Sequence, residues 1–69
     1  MHKFYLDLFR QSDRSHITVI ATTSDLTGLI PAIQAAEARH PGYKLQTWFF
    51  MSSFINYKPT GNEDYITVE

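Results

Sequence analysis

The sequence predicts an α+β domain: a small antiparallel sheet with one helix packed on one face, in the order β-β-α-β-β. Three observations predict it. Residues up to Thr22 form two alternating, β-prone runs around a polar turn, as a hairpin does. A stretch with apolar residues at three- and four-residue steps follows, bounded by Thr23-Ser24-Asp25 and Pro41-Gly42. The remainder is dense in aromatic and β-branched residues, which suit a pleated, half-buried surface.

Taken in order, Lys3 to Arg10 places Phe4, Leu6 and Leu8 on one face of a strand and Tyr5, Asp7 and Phe9 on the other. Gln11 to Ser15 is a turn by composition, and His16 to Thr22 is the returning strand. Ser24 or Thr23 can accept from the free amides of a first helical turn, and Asp25 favours the positive end of the dipole. The helix stripe is Leu26, Leu29, Ile30, Ile33 and Ala36. Pro31 removes an amide donor, so the helix is kinked there or starts in earnest near Leu29. Tyr43 to Tyr57 reads as one long bent strand, or as two strands broken near Ser52-Ser53. Lys58 to Asp64 is a loop, and Tyr65 to Val68 a short terminal strand.

A chain of 69 residues makes one domain, 1–69, since at this size only about 60% of the unfolded surface is hidden. Hydrophobic residues at 43% and charged residues at 19% argue for a folded chain. Without cysteine there is neither a disulfide nor a thiolate ligand, so packing or association must supply the stability. Six basic against seven acidic residues leave no general electrostatic footprint for nucleic acid. The N-terminal apolar stretch is too short and interrupted for an export signal or a membrane span, so the expected compartment is the cytosol.

One helix covers one face of a sheet, and both faces here carry large apolar side chains. Uninterrupted alternation sends Leu45, Thr47, Phe49 and Met51 to one side of the long strand and Gln46, Trp48, Phe50 and Ser52 to the other. Assigning the more aliphatic set to the helix leaves Tyr5, Phe9, Trp48, Phe50 and Phe54 on the open face as the expected interface. Glu63, Asp64 and Glu69 form an acidic second surface.

Catalytic and metal chemistry find little support. His2, His16 and His40 do not share the spacing of a ligand pair, and Gly28, Gly42 and Gly61 make no phosphate-cradling loop. Ser12-Asp13-Arg14-Ser15-His16 holds the ingredients of a nucleophile and base, but these are also turn residues. The expectation is therefore a non-enzymatic binding module without cofactor or metal, a homodimer that inhibits or adapts a larger protein. Small accessory proteins of bacteria and their phages act in that way. The alternative is a single-stranded nucleic-acid module stacking bases on Trp48 and Phe50.

Overall fold

The computed structural model describes residues 1–53 and 57–69, so Phe54 of the expected interface lies outside the described residues. Strands β1 (His2–Arg10) and β2 (Ser15–Thr23) form the hairpin, paired antiparallel from His2 opposite Thr23 to Arg10 opposite Ser15. Its turn is held by Asp13, whose carboxylate accepts from the Ser15 amide at 3.1 Å, the Ser15 hydroxyl at 2.8 Å and Arg10 Nε at 3.0 Å. These donors, with the adjacent guanidinium charge, hold the Asp13 carboxyl far below its ordinary range. Arg14 takes the left-handed conformation at φ 59° that closes the turn.

A short 3₁₀ turn over Leu26–Gly28 leads into helix α1 (Leu29–Arg39). Asp25 caps the turn, its carboxylate accepting from the Thr27 amide at 2.9 Å. Pro31 falls in the first turn of α1, where its missing amide has no partner to lose, so the helix starts at Leu29. The buried stripe is narrower than the spacing suggests. Ala32 and Ala36 are fully buried with Leu29 and Ile33 beside them, whereas Leu26 and Ile30 are exposed. The two alanines let the helix axis approach the sheet closely. The helix ends at His40, and Gly42 at φ +88° turns the chain back.

Strand β3 (Lys44–Phe50) pairs antiparallel with β1, and β4 (Asp64–Val68) pairs with β2, giving the sheet order β3-β1-β2-β4. The sheet is mixed, which corrects the antiparallel expectation: β4 runs parallel to β2, from Asp64 opposite Val19 to Val68 opposite Thr23. A parallel pair needs a connection of about a dozen residues or more; β2 and β4 are joined through α1 and β3, and the last stretch, 51–63, links the two sheet edges. That stretch begins with a 3₁₀ turn at Met51–Ser53, which ends the long strand where the two serines suggest a break.

The core lies between helix and sheet. Phe4, Leu6 and Leu8 of β1 have no exposed surface, nor do Val19 and Ala21 of β2; Ile66 of β4 and Tyr43 complete the cluster. Leu45 and Trp48 of β3 pack against it. Leu45 and Trp48 are three apart and share a face because the register steps from Asp7 opposite Thr47 to Leu8 opposite Leu45, leaving Gln46 as an extra residue. This bulge reverses the assumed alternation. Trp48 and Phe50 therefore belong to the helix side, a correction to their expected place on the open face. Their rings pack on Phe4 with centroids at 5.9 and 5.4 Å.

Candidate functional site

The face of the sheet away from the helix is ordered by the same registers. One row crosses all four strands: Phe49 opposite Tyr5, Tyr5 opposite Ile20, and Ile20 opposite Tyr65. Ile20 is buried between its tyrosine neighbours, while Phe49 is 42% and Tyr65 57% exposed. The next row is polar, with Thr47, Asp7 and Thr18 side by side. Beyond it Phe9 faces His16, with ring centroids 5.0 Å apart.

Tyr57, from the connection between β3 and β4, lies against this face with its ring 5.6 Å from that of Tyr5 at an interplanar angle of 79°. Glu63 fixes it there by accepting from the Tyr57 hydroxyl, and the same carboxylate accepts from the Thr60 amide at 2.9 Å and the Gly61 amide at 3.0 Å. Gly61 reaches the required φ of +89° without strain. The hydrogen bonds lower Glu63 to about 2, and the adjacent carboxylate pushes the Tyr57 phenol up to about 12.

Between these elements lies an open recess of about 690 Å³, walled by the rings of Tyr5, Phe49 and Tyr57. Asp7 and His16 sit at one end, joined Oδ1 to Nδ1 at 3.1 Å, and Thr18 and Thr47 line the remainder. The Tyr5 hydroxyl meets Thr18 Oγ1 at 3.3 Å. A carboxylate that orients an imidazole is half of a hydrolytic relay, and two of the hydroxyls nearby are bonded to other groups. Thr18 is bonded to Tyr5, and Ser15 to Asp13 and to the Tyr43 hydroxyl at 2.6 Å.

Of the residues expected at the interface, Tyr5 and Phe9 stand on the open face. Trp48 and Phe50 stand on the other, although Phe50 keeps 41% exposure at its margin. Of the expected acidic surface, Glu69 is exposed, whereas Glu63 and Asp64 are bonded within the chain. Glu63 is turned into its own loop, and Asp64 Oδ2 accepts from Arg39 Nε at 2.8 Å and lies 2.9 Å from His40 Nε2. His40, at the C-terminal end of the helix, thus faces a carboxylate. Phe49, Tyr57 and Tyr65 were missed by the sequence reading. Pairing Asp7 with Thr47, the polar position of each strand, would have placed Phe49 beside Tyr5 and exposed the bulge.

Among the described residues, no helix is long and apolar enough to cross a membrane. No family model, curated protein or solved structure matches this chain.

Proposed function

We propose that the chain is a small non-enzymatic binding module that acts on a larger protein, as an inhibitor or adaptor, through the open face of its sheet. The supporting observation is the row Phe49, Tyr5, Ile20 and Tyr65, an apolar line across all four strands on the side that the helix leaves uncovered. Tyrosine and phenylalanine are enriched in the buried centres of protein interfaces, where they offer area at small entropic cost. A standard interface takes ~800 Å² from each partner, and the row crosses the full width of the four-stranded sheet.

A second copy is the competing occupant of this face, and the solution mass separates the two arrangements. A nucleic-acid partner fits less well. The two groups expected to stack bases, Trp48 and Phe50, face the helix side, and Tyr5, Phe49 and Tyr57 share their recess with Asp7, which repels phosphate.

The test is a photo-reactive side chain placed singly at Tyr65 and Phe49, and for comparison at Ile30 and Gln34 on the exposed side of α1, in cells that make the protein. Protein adducts at the sheet positions and not at the helix positions are the expected result. Adducts confined to the helix positions would refute the assignment of the face. Adducts with nucleic acid, or only with a second copy, would replace the partner class.

A further inference from the structure

We infer that the outer edge of β4 is the interface for a second copy of this chain, the two β4 strands pairing antiparallel and joining two four-stranded sheets into one continuous sheet. The two edges of the sheet, β3 and β4, are built differently. An edge strand offers unpaired amides and carbonyls to any extended chain, and proteins blunt such edges with charges, lysines and bulges. β3 carries all three. It begins at Lys44, the Leu45 amide donates to the Glu37 carboxylate at 2.9 Å, and Gln46 is the extra residue of the bulge. β4 carries none of them past its first residue. Tyr65-Ile66-Thr67-Val68 is uncharged, has no proline, and runs beside β2 without a register shift. The first residue, Asp64, is already occupied by Arg39 Nε and His40 Nε2.

The strip is complementary to itself, as a two-fold interface requires. Ile66 and Val68 point to the helix side, and Tyr65 and Thr67, both exposed, to the open side. Directly opposed side chains of an antiparallel pair share a face, so a two-fold axis at Ile66 sets that residue against its counterpart and Tyr65 against Thr67 of the other copy. A ring opposite a β-branched side chain is a favourable cross-strand pair, and the symmetry makes it twice. The same axis brings Glu69, exposed just beyond the strand, to the Asp64 end of the other copy. Arg39 stands there, more than half exposed and, among the described residues, bonded only through Nε, so its other guanidinium donors face an incoming carboxylate. A foreign strand would gain the backbone hydrogen bonds alone, whereas the copy adds the matched side chains and the opposite charges. The open face stays uncovered in this arrangement, so the inference goes beyond the proposed function and does not depend on it.

The test is the sedimentation mass of the whole chain across a concentration series, with two double variants. The wild-type chain should pass from monomer to dimer, and exchange of the 65–68 amides should slow over the same range. Tyr65→Lys with Thr67→Lys sets like charges opposite each other at both places in the joint; Tyr65→Glu with Thr67→Lys sets opposite charges there. The first variant should have a dissociation constant at least about tenfold above the second, and the gap should narrow as salt rises. Both positions are exposed, and unmoved amide resonances of Leu6 and Val19 report that each variant is folded. A wild-type chain that stays monomeric up to about 1 mM would overturn the inference. So would a dimer whose two variants dissociate alike, which places the copies on another surface, the sheet face included. Either failure leaves the crosslinking adducts at Tyr65 and Phe49 to judge the proposed function by themselves.

Discussion

The two faces of the sheet are built by different rules. On the helix side the strands supply Phe4, Leu6, Leu8, Val19 and Ala21, all without exposed surface, and Ala32 and Ala36 bring the helix down onto them. That face is specified by volume, because close-packed side chains leave no room for a changed methylene. On the open side only Ile20 of the central row is buried, and polar and charged side chains stand beside the rings. That face is specified by pairwise contacts: Tyr5 to Thr18, Asp7 to His16, and Tyr57 to Glu63. On the proposed function, stability and recognition are divided between the two sides of one layer, and substitutions should separate them.

The largest expected effect lies on the helix side. Leu6→Ala removes a fully buried side chain at the centre of β1, which should cost about 2–5 kcal/mol. Tyr65→Ala, more than half exposed on the opposite face and paired across strands with Ile20, should cost no more than about 1 kcal/mol. Urea midpoints measured at constant slope make the comparison. Similar losses for both variants would mean that the open face is part of the folding core, and the division of labour would fail.

An intermediate effect tests how closely the helix unit approaches the sheet. Gly28 has an ordinary helical backbone, so alanine there would normally stabilise by about 0.4–1 kcal/mol through the unfolded state. Here the new methyl would meet Thr23 Cβ at 2.6 Å and Cγ2 at 2.7 Å. Thr23 is itself buried and bonded through its hydroxyl to the Asp25 carbonyl oxygen, so it has little room to move. The clash should win, and Gly28→Ala should lower stability by about 1–3 kcal/mol. An unchanged or raised urea midpoint would show slack between β2 and α1.

What the sequence discloses follows from the same division. The hairpin is legible because Lys3 to Arg10 alternates cleanly, while Pro31 leaves two readings, a kink or a start near Leu29, of which the chain takes the second. The parity of β3 is not legible by alternation alone. Leu45, Trp48 and Phe50 share a face only through the extra residue Gln46, and both parities of that strand carry aromatic side chains. The direction of β4 depends on the path of 51–63, which composition does not encode. Tyr57 and Glu63 lie in that same connection, so their part in the recess depends on a tertiary path rather than on a motif.

The smallest expected effect concerns the wall of the recess that the connection provides. Glu63 is lowered to about 2 mainly by the Tyr57 hydroxyl and then by backbone donors, so its contribution is fully present above the ordinary glutamate value of 4.5. It fades as pH falls from there through about 2. Tyr57 mirrors it: a phenol raised to about 12 contributes while neutral, below its ordinary 10.0, and ceases to contribute as pH rises through about 12. Glu63→Gln replaces the carboxylate with a neutral acceptor. The Tyr57 ring resonances, which report its contact with Tyr5, should then lose their acid transition, and the phenol should titrate back toward 10.0. The buried resonances of Phe4 and Leu6 on the other face should not move. If they follow the Tyr57 transition, the two faces are coupled through the sheet, and binding at the recess would register in the stability of the core.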